Sequence, residues 1–253
     1  MIILKSEEEV SKIRVACEIV ARTLEVLKDK VKPGVTTQDL DRIAEENIVR
    51  EGGKPAFKGY RNFPATLCAS VNSEVVHGIP TKKNVLSDGD IIGLDLGAIY
   101  EGFYGDAAIT VPVGRVDQAT ERLIRVTRES LYKGIDKAQI GNRLSDISHA
   151  IQLHVEAAGY SVVRDFVGHG IGRNLHEEPQ IPNYGDPGHG PRLKKGMVLA
   201  LEPMVNAGKC EVSILPDHWT VVTQDGSLSA HFEHTIVLTD LGPVILTSSV
   251  KDR

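Results

Sequence analysis

The chain has few cysteines, no excess of basic charge and no long apolar run. Cys17, Cys68 and Cys210 are three widely spaced thiols. They form neither a disulfide framework nor a C-x-x-C zinc clip, and a reducing cytosol is the expected compartment. Lysine and arginine total 29 against 34 aspartates and glutamates, for a net charge of −5. With no basic run or face, a nucleic-acid footprint is excluded. No apolar stretch approaches the roughly 18 residues of a membrane span. The opening MIILKSEEEV has no basic segment leading into an apolar one, so no secretory signal is expected. There is no Gly-x-Ser-x-Gly elbow and no His-Glu-x-x-His zinc helix. What remains is an ordinary globular chain of 253 residues, 41% apolar and 25% charged, long enough for one large domain or two small ones.

Apolar residues at Val10, Ile13, Cys17, Val20, Leu24, Leu27 and Val31 step by three and four, which predicts a first helix. Ser6 with Glu9 makes a capping box at its start, and Pro33-Gly34 ends it. A second helix begins near Thr36, with Thr36 and Asp39 as another box, and stops at Gly52-Gly53. Two more are expected over Asp117–Lys137 and from Asn142 to Gly159. Strands are expected at Asp90–Ala98, Phe103–Val113, Ser161–Val167, Met197–Val205, Trp219–Thr223 and His231–Thr239.

The order helix, helix, strands occurs twice, and the residues repeat with it. Leu86-Ser-Asp-Gly-Asp-Ile-Ile-Gly-Leu-Asp95 matches Leu193-Lys-Lys-Gly-Met-Val-Leu-Ala-Leu-Glu202 in its leucines, glycine, aliphatics and final acid. His77-Gly-Ile recurs as His169-Gly-Ile, and Asp106-Ala-Ala-Ile parallels Glu233-His-Thr-Ile. Two α/β halves, about 1–115 and 116–253, are expected to face each other across a cleft as one catalytic domain.

Asp95, Asp106, Glu202 and Glu233 stand at apolar strand positions, where an acid is costly to bury. If the strands of Asp95 and Asp106 form a hairpin, a turn at Tyr100-Glu101 sets the two directly opposite. A turn at Glu101-Gly102 makes them diagonal neighbours. One such acid would more often face solvent; four at matching positions would repel unless cations lie between them. Oxygen ligands with one or two imidazoles suit Mn, Fe, Co or Zn, and paired metals form a hydrolytic centre. Of the nine histidines, His169 is marked by glycines on both sides, and His77 opens the matching loop. His176 follows seven residues after His169. His231 and His234 flank Glu233 and are read as structural, and Cys68 is read as packing or pocket lining.

Several stretches together resemble the type I methionine aminopeptidases. They are Pro55-Ala-Phe-Lys-Gly-Tyr60, Val71-Asn-Ser-Glu-Val-Val-His-Gly-Ile-Pro80, Gly168-His-Gly-Ile-Gly172, His176-Glu-Glu-Pro-Gln180, Glu202-Pro-Met-Val205 and His231-Phe-Glu-His234. The resemblance covers nearly all of 1–248 and looks like the short bacterial form, without a long insertion or zinc-binding extension. It implies an α+β pita-bread fold: two pseudo-symmetric halves, antiparallel sheet around a dinuclear metal cleft, helices outside. It implies that Asp95 chelates one metal, His169 and Glu202 the other, and Asp106 and Glu233 both. Within the same resemblance His77 and His176 contact substrate, and Glu202 is the general base for attack by a bridging hydroxide. Phe57, Tyr60, Phe63, Cys68, Leu175 and Trp219 align with the methionine pocket. Family members often have a cysteine at the position of Phe57 and an aromatic at that of Leu175. Asn72 and Ser229 fall where the family can bind a structural monovalent cation. The implied activity is removal of an N-terminal methionine before a small second residue. Implied partners are nascent polypeptide N-termini, with the ribosome a further candidate and a monomer the expected state. The nearest rival is a proline-specific peptidase on the same fold; an iron oxygenase with two histidines and one carboxylate fits four carboxylates poorly.

Overall fold

The structure, a computed structural model, describes residues 1–248. Four helices lie close to where the apolar spacing puts them: α1 (Glu7–Lys30), α2 (Thr37–Arg50), α3 (Gln118–Lys137) and α4 (Leu144–Ala157). At the start of α1 the Glu9 N–H donates to Ser6 Oγ at 3.2 Å, and the Ser6 N–H donates to the Glu9 carboxylate at 3.0 Å. Three acids in its first turn, with Lys28 and Lys30 in its last, complement the helix dipole. The box at α2 is half built. Thr36 Oγ1 accepts from the Asp39 N–H at 3.1 Å, but the Asp39 carboxylate accepts the Thr36 hydroxyl at 2.6 Å.

Nine strands make the main sheet, numbered in chain order: β1 (Lys54–Pro55), β2 (Leu67–Val71), β3 (Ile91–Tyr100), β4 (Phe103–Pro112), β5 (Gly168–Gly170), β6 (Glu177–Ile181), β7 (Val198–Leu201), β8 (Glu233–Thr239) and β9 (Gly242–Ile245). All pair antiparallel in the order β1-β3-β4-β8-β7-β5-β6, with β2 also on β3 and β9 also on β8. The joint between the early and late strands is β4 against β8, with Glu233 opposite Ala108. Thr235 secures it by donating its hydroxyl to Asp106 O at 2.7 Å.

Helices cover the sheet in two pairs. Val20, Leu24 and Leu27 of α1 and Leu40, Ala44 and Ile48 of α2 bury against Ile92, Leu94 and Leu96 of β3. Leu131 and Ile135 of α3 and Ile147, Ile151 and Val155 of α4 bury against Leu199, Leu201 and Ile236. Each large aliphatic so enclosed contributes roughly 1.5–3 kcal/mol, enough to fix both helix layers. Gly105 lets α1 press on β4, since a Cβ there would lie 2.5 Å from Cys17 N. The residue after it is Asp106, so α1 backs the strand that carries this acid.

Several strands differ from their expected extents. Met197–Val205 breaks after Leu201, because Pro203 has no N–H for the ladder. Met204–Asn206 joins a separate three-stranded sheet with Ser161–Val162 and Ser229–His231. His231–Thr239 likewise divides at Phe232 as the chain passes between sheets. Ser161–Val167 shrinks to two residues. Trp219–Thr223 starts at Val221, in a third sheet with Glu74–Val76 and Val212–Ile214. Both breaks beside an acid have the same result: Glu202 and Glu233 stand where the chain leaves one sheet for another.

Candidate active site

The β3–β4 hairpin turns on Glu101 and Gly102, both left-handed at φ 47° and 80°. Two such residues make the two-residue turn whose twist suits a hairpin. Tyr100 then pairs with Phe103, Asp95 with Ala108, and Gly97 with Asp106. The aspartates are therefore diagonal neighbours on one face, the second of the two registers considered. Glu233 opens β8 opposite Ala108, beside both. Glu202 follows β7.

His169 faces this cluster from β5, held between β6 and β7. The flanking glycines are sterically required: a Cβ at Gly168 would lie 2.5 Å from Ala200 O, and one at Gly170 would overlap Glu178 O. His169 Nδ1 is 2.9 Å from Gly170 O, a geometry in which Nδ1–H donates and the Nε2 lone pair faces the acids. Nε2 lies 3.5 Å from Glu202 Oε1 and 3.9 Å from Asp106 Oδ2. Donor atoms of Asp106, His169 and Glu233 lie within 4.8 Å of one another, in a form that could hold a metal ion.

The electrostatics are those of a cation site. Asp95 Oδ1, Asp106 Oδ1 and Glu233 Oε1 are buried without a hydrogen-bond partner. Burial raises the Asp95 carboxyl to about 7. Burial and the neighbouring acids push Asp106, Glu202 and Glu233 well above the usual carboxylate range. Burial lowers His169 to about 3, keeping its imidazole neutral and able to ligate. Orphaned carboxylate oxygens around a neutral imidazole fit divalent cations and fit no protein donor among the described residues.

The raised carboxyls predict a pH dependence for the chain stripped of cations. A carboxyl whose folded pKa is raised binds its proton more tightly when folded, so its contribution is complete below the unfolded value of 3.8. Stability should fall as pH rises from about 4 through about 7, the range between the unfolded and folded values of Asp95. Thermal melts in excess chelator at pH 5 and pH 8 measure it. A higher melting temperature at pH 8 would contradict the clustering of these acids.

All thirteen residues singled out for the site line one cavity of about 390 Å³. Part of its lining is apolar: Phe57, Phe63, Cys68 and Leu175 are buried, and Trp219 meets Phe63 edge-on at 5.1 Å. The Tyr60 hydroxyl is 2.7 Å from His176 Nδ1, and the His176 ring is 4.4 Å from that of His169. His77 is left-handed at φ 60° and packs edge-on to Phe166 and Trp219. It stands apart from the converging ligand atoms, so its repeat match to His169 does not extend to its position. Asn72 and Ser229 do meet, with the Ser229 N–H donating to Asn72 O at 2.9 Å.

Sequence reasoning missed Arg61, Asp165, Phe166 and Gln180, which also line the cavity. They lie outside the repeat; only Phe166, next to the glycine-rich run, and Gln180, at the end of the His176 stretch, carried a signal. His231 lies nearer the acids than its place in the sequence suggested. Read as structural, it is buried with an unpartnered Nε2 that lies 3.8 Å from Glu202 Oε2. The break at Phe232 turns it toward the acids, which strand alternation could not show.

Comparisons with known proteins agree with this geometry. The sequence profile of metallopeptidase family M24 matches residues 11–240. A methionine aminopeptidase of Clostridium acetobutylicum is 56% identical over 247 residues, spanning 98% of this chain and 99% of the relative. The crystal structure of a methionine aminopeptidase from Thermotoga maritima matches with a TM-score of 0.97 at 50% identity, covering 98% of this chain and 100% of the other. A prolidase from Pyrococcus furiosus, at 24% identity and a TM-score of 0.78, shares the fold alone, over 98% of this chain and 66% of its own. The α+β pita-bread architecture that the resemblance implies is the one found. The chain belongs to metallopeptidase family M24, and within it to the metallo-exopeptidases of the bacterial methionine aminopeptidase group.

Proposed function

We propose that the chain removes the N-terminal methionine from nascent polypeptides whose second residue is small. One observation carries the reading: apolar side chains line the same cavity as four acids and a neutral imidazole. An unbranched, polarisable thioether side chain suits that apolar lining, with Phe57 and Leu175 shaping it. Asp95 would hold one cation, His169 and Glu202 the other, and Asp106 and Glu233 both. Two divalent ions, of the Co, Mn, Fe or Zn type, would supply Lewis acidity that makes water a nucleophile at neutral pH.

The chain's own residues do the rest. Glu202, its affinity for a proton raised by burial, takes the proton from the attacking water and passes it to the leaving nitrogen. With the Tyr60 hydroxyl donating to His176 Nδ1, the His176 proton sits on Nε2, ready to donate to the developing oxyanion. His77, lowered to about 4 chiefly by burial, is likewise a neutral donor for the scissile amide. The two halves, 1–115 and 116–253, act as one catalytic domain, each contributing two of the acids. The same reading has the enzyme working as a cytosolic monomer on chains emerging from the ribosome, with a monovalent cation at Asn72 and Ser229 as a structural addition.

Assaying Met-Gly-type and X-Pro peptides side by side tests the substrate. Cleavage of the first set is expected, and preferential cleavage of the second would move the chain to the prolidase side of the fold. His77→Ala is expected to leave metal content near wild type and lower turnover about 10²–10³-fold, the usual effect of losing one oxyanion-type donor. Elemental analysis beside kcat checks this; loss of metal would make His77 a ligand.

A further inference from the structure

Lys5 lies outside the cavity, yet it is joined to the loop that carries His176. Its Nζ is 2.6 Å from Glu177 Oε2, with the two side chains only 3% and 6% exposed. Lysine and glutamate are almost never so enclosed unless paired. Nζ also donates to Ile3 O at 3.1 Å. The other Glu177 oxygen accepts the Asn174 N–H at 3.1 Å, so His176 lies within the short loop that this contact closes. Two glycines make room for the pair. A Cβ at Gly172 would land on Lys5 Cε and lie 2.9 Å from both Nζ and Glu177 Oε1. Gly196 sits at φ +83°, where an added Cβ would lie 2.9 Å from Lys5 O. The Lys5 N–H donates to Gly196 O at 2.7 Å, on the turn that leads into β7 and so to Glu202. Lys5, just ahead of α1, thus ties its backbone to the Glu202 strand and its side chain to Glu177 of the His176 loop, 172 positions away.

We propose that Lys5 is a positioning residue: the buried Lys5–Glu177 pair straps the segment before α1 onto the His176 loop and sets the His176 imidazole against the scissile bond. The inference rests on the reading of His176 as a substrate contact. Misplacing such a group by about 1 Å costs up to roughly 10²-fold in rate.

The test uses the metal-loaded full chain. Lys5→Met is expected to lower kcat about 10–100-fold, with KM and metal content little changed, because the lost interaction is made in the transition state. Lys5→Arg, which keeps the pair, is expected to retain most of kcat. In a His176→Ala background Lys5→Met should cause no further fall, since residues acting as a unit are non-additive. Wild-type kcat in Lys5→Met, or an undiminished fall in the His176→Ala background, overturns the strap. If His176→Ala alone leaves kcat intact, the reading of His176 fails and the strap fails with it, a result distinct from failure of the coupling. Should the lone buried Glu177 carboxylate unfold Lys5→Met, the double variant Lys5→Met/Glu177→Gln removes both charges. That variant, folded by circular dichroism and still at wild-type kcat, also overturns the proposal.

Discussion

Removing divalent cations with excess chelator is expected to abolish peptide hydrolysis, and adding back Mn, Fe or Co to restore it. The expected loss is roughly a thousandfold or more, because the Lewis acidity of such ions is worth several kcal/mol in the barrier. The cause lies in four acids that the fold brings to one place with, among the described residues, no basic side chain but neutral histidines beside them. Three of them keep a buried oxygen that accepts no hydrogen bond. Their mutual repulsion raises the pKa values of Asp106, Glu202 and Glu233 on top of the burial penalty. With the cations gone, protonation is the remaining way to relieve that repulsion, and a protonated Glu202 cannot act as a base. Activity and elemental composition should be measured on the same dialysed sample. Full turnover in excess chelator would reject the metal mechanism, whatever the fold.

The second large effect is expected at Asp106. Asp106→Asn should cost at least one metal ion per chain by elemental analysis and lower turnover roughly a thousandfold. Asn keeps the size of Asp but loses its charge and turns one acceptor into a donor that faces a cation poorly. Asp106 is also at the crowded centre of the cluster, its Oδ2 3.9 Å from His169 Nε2 and its Oδ1 without a partner. Stability separates a local effect from general damage. Removing one of four like charges should leave the cation-free variant at least as stable at pH 8 as the cation-free parent. Equal metal content would refute the bridging role, and a lower melting temperature would show that Asn disturbs the β4–β8 joint instead.

Much of the fold is legible in the chain. The four helices follow from apolar steps of three and four, and the Ser6–Glu9 box forms where its residues place it. The repeated Leu-Gly-Leu-acid string locates Asp95 and Glu202, because both halves put an acid at the end of the same apolar strand pattern. Strand ends are less legible. Alternation cannot show where a chain passes from one sheet to another, so Met197–Val205 and His231–Thr239 read as continuous and His231 reads as structural. The short strands β5 and β6 are hidden for a related reason. Gly168–Gly170 and Glu177–Ile181 have little strand propensity, and tertiary packing alone makes them strands.

By itself, the sequence singled out four acids and one glycine-flanked histidine as candidates, because an acid in an apolar strand needs a counter-charge wherever the strand ends up; two further histidines joined them through the family resemblance. Only the tertiary structure decided how they meet. The turn at Glu101-Gly102 chose the diagonal placement of Asp95 and Asp106, since hairpin register is set by which two residues can take positive φ. The crossings at Pro203 and Phe232 brought Glu202, Glu233 and His231 together. The Lys5–Glu177 pair belongs to the structure alone, because a contact between residues 172 positions apart leaves no local pattern in the chain.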